Sequence, residues 1–223
     1  MYIPKFNQVE DRALLIEAMR ASSFAVLYGA DRNGAPMATH LPLVVHDEGE
    51  HGLLEGHFAL ANPHWKGLAG RETLVVFSGP HSYVSPALYA ERKSVPTWNY
   101  IAVHATGMLE VVEDERDDPA AAHARKDALL KNLIAVNEPA YAEQWNELPI
   151  GYRISMTAGI VGFRIPIAKI EGKFKLSQNR PEVDRRSVYA AHAAGSDDQR
   201  ALAEWMLRLI PGLGESLDKP QNS

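Results

Sequence analysis

Three stretches of this chain concentrate side chains able to hold a flat or phosphorylated ligand. The first is Gly56-His57-Phe58-Ala59-Leu60-Ala61-Asn62-Pro63-His64-Trp65-Lys66, where a strand ends and a helix is expected to start. Backbone amides at a helix N-terminus, beside Asn62 and Lys66, suit a phosphate; the same residues also make an ordinary turn capped by Asn62. The second is Phe77-Ser78-Gly79-Pro80-His81-Ser82-Tyr83-Val84-Ser85-Pro86, read as a stiff loop, with Tyr89 and Pro96-Thr97-Trp98-Asn99-Tyr100 after it. Tyr83, Tyr89, Trp98 and Tyr100 offer faces on which an aromatic ligand can stack, although core and interface aromatics look the same in sequence. The third is Lys173-Phe174-Lys175-Leu176-Ser177-Gln178-Asn179-Arg180-Pro181. Lys173, Lys175 and Ser177 alternate along a strand end, and the donors that follow suit an anion or a flavin edge; a solvated edge strand guarded by lysines fits equally.

Other chemistries find less support. Nine histidines invite a metal, and His40, His57, His64, His81 and His104 fall in the β-rich part. None has the helical HExxH spacing or an accompanying acid, so no metal site is expected. A single axial histidine to haem stays open. Ser78 and Ser85 lack a G-x-S-x-G elbow, and Gly29–Gly34 makes neither a P-loop nor a dinucleotide fingerprint. His57, His81 and His104 are the acid–base candidates by titration range; no catalytic residue is assigned.

The elements that must position these stretches are mostly strands. Asn7-Gln8-Val9-Glu10 reads as a capping box and predicts a helix over 8–21. Strands are expected at 24–28, 36–46, 53–58, 73–78 and 98–112, the first two joined through Asp31-Arg32-Asn33-Gly34. Asp118-Pro119 opens a helix whose apolar face is Leu129, Leu130, Leu133 and Ile134, and Pro139 closes it. Residues 160–165, 167–170 and 173–176 return to strand character. Pro181 opens a helix to about Ala193, and Ser196-x-x-Gln199 is a second capping box ahead of Leu202, Trp205, Met206 and Leu209. Two blocks of strands with helices between and after predict an α+β fold, mainly antiparallel. Residues 1–176 are expected to form the main domain with inserted helices, and 177–223 a helical extension packed on it.

Composition narrows the setting. The chain has 223 residues, 46% hydrophobic and 23% charged, and no cysteine, which excludes disulfides and thiolate chemistry. Its net charge of −5 lacks the basic stripe of a dedicated DNA-binding domain. The N-terminal pattern is not that of a signal peptide and no apolar run approaches a membrane span, so a cytoplasmic protein is expected.

Read together, Met1-Tyr2-Ile3-Pro4, Ala38-Thr39-His40-Leu41-Pro42, Gly56-His57, Ala61-Asn62-Pro63-His64-Trp65, Gly79–Pro86, Val95-Pro96-Thr97-Trp98-Asn99-Tyr100 and Lys175–Arg180 resemble the FMN-binding negative transcriptional regulators of PaiB type. The resemblance runs from residue 1 to about residue 186. It implies a split β-barrel related to pyridoxamine-phosphate oxidases and flavin reductases, with flanking helices, working as a homodimer with FMN near the subunit interface. By resemblance, Thr39, His40 and Leu41 lie on the strand beneath the isoalloxazine. His57, Asn62, Trp65 and Lys66 occupy the place of a phosphate-binding turn. Ser177 and Gln178 are similar to a late Ser/Gln pair near the last barrel strand, and Trp98, Asn99, Lys175 and Asn179 join the cofactor set. The oxidases' arginine-rich strand is replaced by Met37-Ala38-Thr39-His40, and their substrate-binding arginine–histidine pattern is missing. The implied function is repression of transcription. The acidic balance and the lack of a recognisable helix-turn-helix predict an indirect route, through flavin state or a protein partner. The alternatives are a flavin-dependent oxidoreductase using NAD(P)H or a small donor, and a haem-binding protein.

Overall fold

The computed structural model describes residues 1–112 and 119–214. A 3₁₀ turn, Lys5–Asn7, leads into the short strand β1 (Gln8–Val9) and helix α1 (Arg12–Ala21). The helix starts at Arg12 and not at Gln8, because Gln8 and Val9 pair with Lys173 and Gly172 and are drawn into a ladder. Its cap is Asp11, which accepts from the Leu14 amide at 3.1 Å. Asn7 is buried instead of capping.

Strands β2 (Phe24–Ala30) and β3 (Pro36–Pro42) form the expected hairpin. Asp31 closes it, one carboxylate oxygen accepting from the amides of Asn33 and Ala35 at 2.8 and 2.9 Å, while Gly34 takes φ +86°. After β4 (Val44–His46) and β5 (Leu53–Ala59) comes the one-turn helix α2 (His64–Leu68). Strand β6 (Glu72–Val84) continues straight through the stretch expected to be a stiff loop. Gly79 allows this: a Cβ there would stand 3.1 Å from the carbonyl oxygen and Cβ of Ile101.

Strands β7 (Thr97–Met108) and β8 (Glu110–Val111) follow, then α3 (Pro119–Asn137); the expected cap Asp118 lies outside the described residues. Helices α4 (Tyr141–Glu147) and α5 (Ile150–Ala158) occupy a segment for which no element is expected. The three runs expected after residue 160 are one strand, β9 (Ile160–Lys175). Pro166 does not break it: it stays in register opposite Leu53, exposed between the buried Ile165 and Ile167, and the ladder resumes with the Ile167 amide donating to the Gly52 carbonyl at 3.0 Å. Helices α6 (Glu182–Ala193) and α7 (Asp197–Leu209) complete the described elements, and both bonds of the Ser196/Gln199 capping box are made. The main sheet has the order β3-β2-β6-β7-β9-β5-β4. Among the described residues no helix is long and apolar enough to cross a membrane.

The chain divides into two compact units. The larger comprises Asp11–Phe77 and Val103–Ile170. Its core joins Leu15, Ile16 and Met19 of α1 to Leu27, Leu54, Phe58, Val75, Phe163 and Ile165 of the strands, with the Phe58 and Phe163 rings 4.9 Å apart. The smaller comprises Met1–Glu10, Ser78–Ala102 and the chain from Glu171 on. There Phe174 and Leu176 bury against Val188, Leu202 and Met206, and Phe174 meets Trp205 edge-on at 5.1 Å. Each unit carries part of the residue set singled out above.

Candidate functional site

In the larger unit, the turn between β5 and α2 is organised by Asn62. Its side-chain oxygen accepts from the His64 amide at 3.0 Å, and its amide group reaches the Thr39 hydroxyl of β3 at 3.4 Å. The same hydroxyl lies 2.8 Å from His64 Nδ1. His64 is fully buried, and its Nε2 has no hydrogen-bond partner among the described residues. Burial lowers its pKa, with the charge of Asp31 pulling the other way. His57, on β5, likewise has a buried, unpartnered Nδ1 and a pKa lowered by burial. Both rings are therefore neutral near pH 7, each with one nitrogen as donor and one as acceptor.

Alternation along β3 separates three residues expected together. Thr39 and Leu41 sit opposite Leu27 and Ala25 on the side of the core, whereas His40 sits opposite Val26 and lies 6.0 Å from the Phe24 ring on the other side. Trp65 donates its indole N–H to the Leu60 carbonyl at 3.3 Å, and the Lys66 ammonium stands 5.4 Å from the indole. A shallow, open depression of about 400 Å³ is lined by Tyr28, Gly29, Pro36, Met37 and Ala38. Gly29 forms its wall because a Cβ there would overlap the Leu68 side chain and stand 3.6 Å from His64 Nε2.

In the smaller unit, the turn after β9 carries the late Ser/Gln pair. Ser177 takes φ +64°, the one described non-glycine residue at positive φ. Its buried hydroxyl donates to Asn99 Oδ1 at 3.0 Å, and Asn99 Nδ2 contacts His192 Nε2 at 3.4 Å. Gln178 clamps the turn, accepting from the Leu176 amide at 2.7 Å and donating to the Phe174 carbonyl. Lys175 donates to the Thr97 hydroxyl. Asn179 is exposed, and Trp98 is half-exposed, its ring 6.0 Å from Tyr83 and 6.2 Å from His81. Of the residues expected from sequence to touch the cofactor, Asn99, Ser177 and Gln178 are thus tied into the turn's scaffold, whereas Trp98 and Asn179 present free surface. Sequence reading missed His192, whose only signal is its type, a lone histidine in an alanine-rich helix. Thr97 lies in the 95–100 block singled out above but had no role assigned to it.

Residues 1–169 match a family model described as "Putative FMN-binding domain". The chain belongs to this family. It is 36% identical over 194 residues to the protease synthase and sporulation protein PAI 2 of Bacillus subtilis, covering 84% of this chain and 87% of that one. It is 27% identical to the uncharacterized protein AN0679 of Emericella nidulans, covering 98% and 100%. Among solved structures it superposes on the flavocytochrome Anf3 from Azotobacter vinelandii with TM-score 0.53 at 17% identity, covering 78% and 72%. For a putative 5-nitroimidazole antibiotic resistance protein from Bacteroides thetaiotaomicron the TM-score is 0.52 at 14% identity, covering 74% and 85%. The fold is accordingly the mainly antiparallel α+β split barrel shared with these structures, and FMN is the cofactor of this family member.

The larger unit suits that cofactor on its own chemistry. Buried ring nitrogens without a protein partner cost free energy unless a ligand or water satisfies them, and His57 Nδ1 and His64 Nε2 are two such atoms. His64 with the Thr39 hydroxyl, the Asn62 amide and the exposed Lys66 makes a neutral-to-cationic donor set, which suits a ribityl chain ending in phosphate.

Proposed function

We propose that this protein is a homodimeric, cytoplasmic regulator of PaiB type that acts through its bound FMN. The observation that carries the reading is the buried, unpartnered Nε2 of His64, whose ring is held by Thr39 beside Asn62, in a chain whose first 169 residues match an FMN-binding family. In this reading Asn62 and Lys66 hold the phosphate, with Trp65 fixing Lys66. Thr39, His57 and Leu41 border the rest of the flavin. Bound FMN supplies one- and two-electron redox chemistry; the chain supplies orientation and hydrogen bonds.

The dimer is supported by an exposed apolar sheet face in the larger unit. Phe24 is 66% and Tyr28 43% exposed. Facing across the ladders, Phe24 pairs with Pro42, Val26 with His40 and Val76, and Tyr28 with Ala38 and Leu74. A second copy covering this face would bring His40 to the subunit boundary. Regulation is proposed to run through a protein partner, since a net charge of −5 disfavours the phosphate contacts that dominate operator binding. The 36% identical relative is named for protease synthase and sporulation, consistent with a regulatory setting.

The deciding experiment is the visible spectrum of the purified protein, followed by release and identification of its ligand. About one FMN per chain is expected. A colourless protein that also refuses added FMN would remove the basis of the proposal, and a Soret band would replace flavin with haem. A salt-sensitive, sequence-specific shift of duplex DNA by the pure dimer would overturn the indirect route. An oxidoreductase reading is favoured by one feature, the half-exposed Trp98 face bordered by Tyr83 and His81, on which a nicotinamide can stack. It predicts bleaching of bound FMN by NADPH with turnover, and flavin that stays oxidised under that test rules it out.

A further inference from the structure

Three cations gather where β9 ends. Lys173 and Lys175 alternate with the buried Gly172, Phe174 and Leu176, so both leave the same side of the strand, and Arg180 follows directly after the Ser177 turn. Their partners are all neutral. Lys173 donates to the Tyr2 carbonyl at 3.1 Å and stands 5.5 and 5.4 Å from the Tyr2 and Tyr100 rings. Lys175 donates to Thr97, and the Arg180 guanidinium lies 4.0 Å from the centre of the Tyr89 ring. Glu171, two residues back on the same side of β9, takes the Met1 ammonium at 3.1 Å. Among the described residues no carboxylate forms an ion pair with any of the three. The charges act on one another: burial first, then Lys173 and Arg180, hold the Lys175 pKa below the ordinary lysine value.

Like charges brought together without a counter-charge oppose folding, so their retention in a chain of net charge −5 asks for a compensating anion. The scaffold beneath them is rigid. The Ser177 hydroxyl is fixed on Asn99, Gln178 closes the turn at both its polar ends, and the Arg180 amide donates to the Ser177 carbonyl at 3.0 Å. Cations held this way lose little freedom when a ligand arrives. A single carboxylate would neutralise one charge of three, whereas a phosphate monoester or pyrophosphate brings two or more and takes the fork of an arginine and the point charge of a lysine together.

We infer that Lys173, Lys175 and Arg180 form a binding site for a phosphate or pyrophosphate group carried by a ligand other than the flavin. The separation from the flavin rests on the reading above, in which Asn62 and Lys66 hold the single phosphate of FMN. Lys175, placed with the cofactor by family resemblance, belongs instead to this second ligand. The chemistry fits a phosphorylated co-substrate or effector, such as a dinucleotide electron donor, and equally free pyrophosphate.

The test is calorimetric titration of the flavin-loaded protein with inorganic pyrophosphate, against sodium chloride at matched ionic strength. One pyrophosphate per chain is expected, with affinity falling at least tenfold in both K175Q and R180Q while bound flavin absorbance stays constant. K173Q is the parallel variant should either of the others melt early. Absence of binding by the unaltered protein, or equal affinity in all variants, would overturn the inference. So would release of FMN by pyrophosphate together with a loss of preference for FMN over riboflavin in K175Q, because the cations would then be the flavin's own phosphate seat. A chain that carries no flavin at all would sink the proposed function, and the same titration on that chain would still decide the anion site. Titration with NADPH then separates the sources: competition with pyrophosphate identifies a dinucleotide ligand, and its absence leaves a small free phosphate.

Discussion

At the scale of single residues, the Thr39 hydroxyl carries more than its size suggests, since it meets both His64 Nδ1 and the Asn62 amide. Thr39→Val keeps the shape and strands both partners, so it is expected to cost about 2 kcal/mol, read by urea denaturation. An unchanged midpoint would mean that water replaces the hydroxyl. Histidines set the pH response. His57, His64 and His192 all have pKa values lowered by burial, so the unfolded chain binds their protons more readily than the folded one. Their contribution to stability is complete above the ordinary histidine value of 6.5 and is lost as pH falls through it. The melting temperature should drop in that window, and His192→Asn should flatten part of the drop; a curve that stays level there contradicts the assignment. Sequence made Asn62 and His64 visible because they sit in a dense polar block, whereas Thr39 stood out only through the family resemblance. It gave no sign of His192, whose contact with Asn99 spans 93 positions.

Elements were legible where the deciding interaction is local. The Ser196/Gln199 box needs only four consecutive residues and forms as read. Ser196→Ala should destabilise the protein by about 1 kcal/mol, measured by thermal or chemical unfolding, and a neutral result would make α7 dependent on packing alone. The similar pattern at Asn7 misled because Gln8 and Val9 find ladder partners more than 160 positions away. Gly79-Pro80 looked like loop chemistry, yet a close approach to Ile101 keeps β6 going. The turn at Ser177 is a further case, its left-handed backbone set by bonds from Asn99 and Gln178 that no local pattern announces. Two substitutions separate strain from bonding there. Ser177→Ala loses the hydroxyl bond and keeps the strain, whereas Ser177→Gly loses both, so the glycine variant should be the more stable by about 1 kcal/mol. The reverse order would show that the turn is not strained.

At the scale of the whole molecule, the sheet face of Phe24, Val26 and Tyr28 makes assembly testable without knowing the function. Val26→Glu places a charge between His40 and Val76 and is expected to give a monomer by sedimentation, with loss of flavin if the cofactor lies at the boundary. A variant that stays dimeric assigns the interface elsewhere. The fold class was readable because strands fall in two blocks, but the division into units was not, since it does not follow chain order. The path of the chain crosses between units after Glu10, Phe77, Ala102 and Ile170, and the last three crossings fall inside β6, β7 and β9. Neither unit can therefore be excised as a continuous gene segment or exchanged with a relative's by a single recombination event. The two units are thus inherited together, on one framework.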